Sequence, residues 1–269
     1  MRINRDKTNH IARIATLSAL FAVESPAFAE EQKGESGSLL VFAGAGVINR
    51  PQYPGSDSTE TRAMPLISLR YKRFFLGGLN GLETGLGLMM YKTPTIAVAL
   101  VGTRDIDKPR DQSYDQRFTG VRDIERSTLA GFYTSYSKDW YSFHSSILTD
   151  VENGSQGTVI NIGGSLNRTL YQRLNLSVSS KTTWGNEEHM DTFFAVTNQD
   201  AAQSDLARYS TQAGLATVEF GVGARYQLTP RLGIATNATQ QYFLGDAKDS
   251  PLIHKQHQTR MGVFMMYRF

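Results

Sequence analysis

Apolar and polar residues alternate one for one along most of this chain. Between Thr217 and Leu228, the residues Val218, Phe220, Val222, Ala224, Tyr226 and Leu228 share one parity, and Thr217, Glu219, Gly221, Gly223, Arg225 and Gln227 share the other. Successive side chains of a strand point to opposite faces, so the two sets form one apolar and one polar face, which a helix would mix. The last residues repeat the rhythm, with Met261, Val263, Met265, Tyr267 and Phe269 set against Gly262, Phe264, Met266 and Arg268. Leu39, Val41, Ala43, Ala45 and Val47 begin it, and Leu174, Leu176 and Val178 alternate with Asn175, Ser177 and Ser179. The pattern predicts twelve strands, at 38–48, 61–71, 74–79, 84–91, 95–104, 127–137, 141–151, 156–168, 172–183, 216–227, 231–243 and 258–268. The third and fourth are short and glycine-rich, with Gly77, Gly78, Gly81, Gly85 and Gly87.

The connections sort by length. The second, fourth, sixth, eighth and tenth are Lys72-Arg73, Lys92-Thr93-Pro94, Lys138-Asp139-Trp140, Thr169-Leu170-Tyr171 and Thr229-Pro230. The long ones, 49–60, 105–126, 184–215 and 244–257, all fall at odd places. Short periplasmic turns and long outer loops are the habit of membrane barrels. With a periplasmic N-terminus, an even strand number returns Phe269 to the same rim, beside the first strand. The predicted fold is therefore all-β, a transmembrane antiparallel up-and-down β-barrel of about 12 strands. Tyr71, Phe74, Tyr91, Trp140, Tyr141, Tyr171, Trp184, Tyr226, Tyr242 and Tyr267 sit near predicted strand ends, where interfacial girdles are expected. The one helix-like stretch is Asn198 to Tyr209, with Asn198 as its cap, inside the loop before the tenth strand.

Composition fits a barrel once an export signal is set aside. Arg2, Arg5, Lys7 and Arg13 precede the apolar run Ile14 to Val23, and Ala27-Phe28-Ala29 forms a small-x-small cleavage site. Residues 1–29 thus read as a signal peptide, 30–37 as a polar periplasmic lead-in and 38–269 as the barrel. Removing 1–29 takes away four of 28 Lys/Arg and two of 25 Asp/Glu, which leaves a net charge of +1. That balance gives no ground for nucleic-acid binding. The absence of cysteine excludes thiolate metal sites and thiol nucleophiles. After the signal, apolar runs are four or five residues, far below the ~20 that a membrane helix needs.

No residue set commits the chain to chemistry, and the expectation is no catalytic site, no cofactor and no metal. His144 and Ser146 share one strand face, but Tyr141, Phe143 and Ile147 take the lipid face, so the pair points into the lumen as a hydrogen-bonded histidine rather than a lipase pair. His189, His254 and His257 read as solvated loop residues without converging metal-ligand spacing. Asp246 and Asp249 lack the alternating oxygens of a calcium loop. Gly44-Ala45-Gly46 lies mid-strand and eases barrel curvature. The charged stretch 104–126 has two readings, contact with lipopolysaccharide phosphates or a loop paired within itself. Glu219 and Arg225, joined by Glu83, either cross-pair in a narrow barrel or line a small wet channel.

Several segments resemble the MipA/OmpV family of outer-membrane proteins. They are Pro51-Gln52-Tyr53-Pro54-Gly55-Ser56, Tyr71-Lys72-Arg73-Phe74-Phe75, Gly120-Val121-Arg122-Asp123-Ile124 and Phe193-Phe194-Ala195-Val196-Thr197. Ser204-Asp205-Leu206 follows with Tyr209 and Gly214, then Leu244-Gly245-Asp246-Ala247 with Asp249-Ser250-Pro251, and the closing Tyr267-Arg268-Phe269. Ala195 and Asp205 stand where the family usually has glycine, and Phe118 where leucine is usual. The resemblance implies a non-enzymatic barrel in the cell outer membrane. It also implies a scaffold that links a lytic transglycosylase to a bifunctional murein synthase, in contact with outer-membrane lipid and lipopolysaccharide. Other members are described as porin-like proteins or adhesins.

Overall fold

The computed structural model describes residues 39–269 apart from Glu83, Thr84, Ile106, Asn153 and Gly154. The predicted signal peptide and lead-in lie outside the described residues, as does Glu83. All twelve predicted strands are present: β1 (Leu40–Pro51), β2 (Thr59–Tyr71), β3 (Phe74–Leu76), β4 (Leu86–Lys92), β5 (Ile96–Arg104) and β6 (Thr128–Lys138), then β7 (Tyr141–Asp150), β8 (Thr158–Leu170), β9 (Leu174–Gly185), β10 (Gly214–Gln227), β11 (Leu232–Phe243) and β12 (His257–Arg268). Each pairs antiparallel with its sequence neighbours. β1 also pairs with β12, from Phe42↔Arg268 to Asn49↔Met261, so the sheet closes without a free edge. The final Phe269 N–H reaches the Val41 carbonyl (3.1 Å) and extends this seam to the last residue.

Closure pairs the ladder's backbone donors and acceptors without water, the condition for crossing a bilayer with strands. The two parities of the sequence become two surfaces. Phe220, Val222 and Tyr226 are exposed on the outside, while Thr217, Glu219, Gly221 and Arg225 are buried within. Phe132, Phe143, Ile147, Ile162, Leu166, Val178, Met261 and Val263 continue the exposed apolar belt. So large an apolar surface on every strand face is what lipid covers. The Gly44-Ala45-Gly46 stretch lets β12 come close: a Cβ on Gly44 would strike the Met265 carbonyl, and one on Gly46 the Phe264 ring. Phe264 instead fills the interior with Ile48 and Met64.

The even-numbered connections are short, as predicted. Lys72 (φ 53°) and Asp139 (φ 51°) turn two of them in the left-handed region. The β8–β9 turn falls two residues later than predicted, at 171–173, because Tyr171 and Gln172 are the left-handed residues (φ 51° and 59°). A larger difference lies between β3 and β4. The predicted strands 74–79 and 84–91 shrink to Phe74–Leu76 and Leu86–Lys92, and Leu79 and Leu82 between them turn into the lumen. Leu79 and Leu82 pair backbone to backbone (2.9 and 2.8 Å), and both side chains are buried with Phe75, Ala99, Val101, Leu129, Tyr133, Leu148 and Val159. Period 2 predicts a strand there, but two leucines with an apolar interior beside them gain more from burial than from extending the wall.

Three helices stand among the long loops: α1 (Glu187–Phe194), α2 (Asn198–Gln203) and α3 (Gly245–Asp249). The predicted helix from Asn198 is α2, but it ends at Gln203, well short of Tyr209, and its cap is Thr197 rather than Asn198. Thr197 and Asp200 form a reciprocal capping box, so the carboxylate in the first turn is what sets the start.

Candidate functional site

The long loops meet over one mouth of the barrel and form a cap with two small cores. Tyr53, Phe118, Val121, Val196 and Leu252 make one; Met190, Phe194, Ala216, Phe243, Ala247 and Ile253 make the other. Tyr53 ties three loops together. Its hydroxyl donates to Asp115 Oδ2 (2.6 Å) and meets His254 Nδ1 (3.0 Å), and its ring lies edge-on to Phe118 at 4.5 Å. Burial and the Asp115 bond push the Tyr53 phenol above its usual range. The Arg117 guanidinium holds the Asp115 carboxyl well below the usual carboxylate range. Buried Arg110 joins two loops by donating to the carbonyls of Arg122 (3.2 Å), Thr192 (3.2 Å) and Phe193 (3.1 Å). Carbonyl contacts do not replace water fully, and burial lowers its pKa to about 10, so it stays charged at neutral pH.

The charged stretch 104–126 is largely paired within the cap. Lys108 meets Asp111, Asp123 and Glu125 (3.5, 3.3 and 2.5 Å). Arg117 binds Asp57 and Asp115, and Arg50 and Arg62 share Glu60 and Asp107. The loop histidines depart from expectation. His189 is half-buried, with Nδ1 donating to the Gln156 carbonyl (3.0 Å) and its ring against Phe193 (4.5 Å). Burial lowers its pKa to about 4. His254 is engaged by Tyr53, and burial lowers it as well. These two are packing residues, because the sequence places each beside an aromatic cluster that only the folded loops assemble. His257, the third, is exposed beside Tyr242.

Beneath the cap, Leu79 to Leu82 fold inward against the β5–β8 side of the lumen and act there as a partial plug. Asn80 Nδ2 donates to Ser142 Oγ, which meets Ser165 Oγ at 2.8 Å. Gly81 (φ 74°) lies on the ring of His144, so close that a Cβ there would collide with Nε2. His144 and Ser146 both face the lumen and are buried, as predicted, but His144 is not hydrogen-bonded: neither ring nitrogen has a partner among the described residues. Ser146 Oγ instead accepts from Asn161 (3.3 Å). The ring serves as a flat platform under Gly81, and the pair lacks the Ser–His bond that a nucleophile needs.

Between cap and plug lies a chamber of about 490 Å³. Gly81 and Leu82 form its floor, Tyr53, Phe193 and Phe194 its roof, and strand residues such as Lys181, Gln241 and Arg260 its wall. Lys181 (3.5 Å) and Arg260 (3.0 Å) both approach Glu219 Oε2, and Gln241 Nε2 donates to Oε1 (3.1 Å). Glu219 therefore takes its partners from the flanking strands of the wall, so of the two expectations the cross-pairing with Arg225 is not the one that holds it. Six residues along β10 is too far when β9, β11 and β12 offer groups at the same level. A buried carboxylate held by two cations cross-braces the wall. Sequence reasoning missed the plug, α1 and α3. Asn186 before Glu187-Glu188 carries a cap signal for α1, and its side chain accepts from His189 N.

Curated proteins offer no match to the chain. Solved structures similar to it include the NanC porin (8% identity, 86% of this chain and 100% of that one, TM-score 0.43). Another is the OmpF complex of Salmonella typhi with daunomycin (11%, 87% and 98%, 0.40). A third is the outer-membrane expressed OmpT of Vibrio cholerae (8%, 88% and 99%, 0.37). At these scores the likenesses carry no functional argument. The family profile described as MltA-interacting protein MipA matches residues 43–269, from β1 through the C-terminal Phe269. A closed twelve-stranded barrel with this match over most of its length belongs to the MipA family.

Proposed function

We propose that residues 1–29 export the chain, that the barrel lies in the outer membrane with its short turns in the periplasm, and that it works there as a non-enzymatic scaffold. On this reading it brings a lytic transglycosylase together with a bifunctional murein synthase during cell-wall remodelling. The observation that carries the proposal is the obstructed lumen. Leu79 and Leu82 are buried inside it against the β5–β8 wall, and an internally paired cap lies over its mouth. A barrel narrowed in this way suits a rigid anchor better than a wide path for solutes. The exposed apolar belt supports the membrane location. The family's description, an MltA-interacting protein, supports a murein hydrolase as partner.

Two measurements test this. Purified native protein should be silent in planar bilayers, and pull-down at native expression should recover a lytic transglycosylase together with a synthase. Repeated failure of the pull-down overturns the scaffold. The chamber favours a second reading, a narrow channel. Stable conductance steps from the native chain would establish that reading. Steps that appear only after 77–85 is replaced by a Gly-Ser linker would agree with a plugged scaffold.

A further inference from the structure

The two ends of the barrel differ sharply in charge. Ten Lys or Arg residues, of which Arg225 is buried in the lumen, and a single carboxylate side chain, Asp139, lie within three residues of the five short turns or of Phe269. The other described carboxylates lie toward the long loops, where the ion pairs of the cap are also found. The near balance of the whole chain, 28 Lys/Arg against 25 Asp/Glu, thus conceals a basic rim at one end.

The β6–β7 turn and its neighbour show what that rim is shaped to meet. Lys138 continues the outward row Phe132, Thr134 and Tyr136, and Arg168 continues the row of Ile162 and Leu166; both cations are exposed. The Asn167 N–H donates to the Trp140 carbonyl (2.6 Å), which brings the end of β8 against this turn. Between the two cations, Trp140 and Tyr141 meet at 5.3 Å, and Tyr141 contacts Tyr136 (6.2 Å) and Phe143 (5.9 Å). On the next turn stands Arg173, beside Tyr171, which is 91% exposed. Aromatic rings of this kind settle at the border of acyl chains and headgroups. Lys and Arg at the end of an apolar row extend their stems along it and place their charge at the phosphate level. Arg adds bidentate bonding to phosphate oxygens.

We propose that the short-turn rim binds anionic phospholipid headgroups, with a site centred on Lys138, Arg168 and Arg173 around the Trp140–Tyr141 shelf. The site needs the barrel to lie in a bilayer and does not depend on the scaffold reading. An acidic protein face would be drawn to the same charge, but the outward rows point sideways into lipid, not down toward a docked protein.

The chain's two tryptophans permit a direct test, since Trp140 lies at this rim and Trp184 near the opposite end of β9. The W184F chain is folded into vesicles that mix phosphatidylglycerol and phosphatidylcholine, with one lipid brominated at a time to quench fluorescence. Trp140 should show at least about fivefold preference for phosphatidylglycerol. The preference should disappear in about 1 M NaCl, where screening acts within about 3 Å. It should also disappear in K138Q/R168Q/R173Q, while Trp184 in the W140F chain shows none. Equal quenching of Trp140 by the two lipids overturns the site, as would be found if an acidic protein were its partner. So does a preference that survives the triple substitution. If that variant fails to fold, the salt titration of the W184F chain alone decides.

Discussion

At Gly81 the backbone holds φ 74°, and the face that would carry a side chain is occupied by the His144 ring. Two penalties would follow from Gly81→Ala: a left-handed alanine, about 1–2 kcal/mol, and overpacking against the ring, about 1–3 kcal/mol. The variant is expected to unfold at lower urea concentration. His144→Ala in the same chain should recover the overpacking part and leave the backbone part, so a double-mutant cycle separates them. If His144→Ala recovers nothing, the ring is not what Gly81 rests on. The contact could not be read from the sequence. Gly81 looks there like one of several glycines around two weak strands, and His144 like a hydrogen-bonded lumen histidine. Only the inward fold of Leu79 to Leu82 shows that each explains the other.

Among the elements, α1 depends most on its environment. Asn186 caps it, Glu187 and Glu188 favour its N-terminal dipole, and Met190 and Phe194 bury its inner face. His189 packs neutral beneath it, with a pKa lowered to about 4 by burial. Its folded pKa lies below the unfolded value near 6.5, so its contribution is complete above about pH 6.5 and is lost as pH falls toward 4. The loss is at most about 1.4 kcal/mol per pH unit. Amide exchange in 187–196 should accelerate between pH 7 and 5 in the native chain, and His189→Gln should flatten that dependence. An unchanged slope in the variant would assign the acid sensitivity elsewhere. Strand ends were legible to within about three residues because period 2 is written in nearly all of them; β3, where it misled, is the exception. The helices were less so: α1 and α3 are short and lie in loops whose apolar residues follow no long period. Thr197 was overlooked because its capping box needs Asp200, three residues on, to turn back.

For the molecule as a whole, closure comes down to the β1–β12 seam. It ends with Phe269 N–H on the Val41 carbonyl (3.1 Å) and the Phe269 ring 5.0 Å from Tyr267. Deleting Phe269 removes the last rung and the exposed ring at the rim. The expected result is a several-fold lower yield of heat-modifiable barrel in outer-membrane fractions, with precursor synthesis unchanged; an undiminished yield would free Phe269 of that role. The sequence by itself determined the strand number, the inside and outside of each strand, and which connections are short. These depend on local alternation and on turns, which are written in neighbouring residues. Tertiary structure alone decided that Leu79 and Leu82 fold into the lumen, that Glu219 is held by Lys181 and Arg260, and that the cap is tied through Tyr53. Each joins residues far apart along the chain, and a closed barrel is what sets them at one height and facing one interior. The same closure gathers the cations of five separate turns into one rim, a concentration of charge that a net of +3 over the whole chain gives no reason to expect.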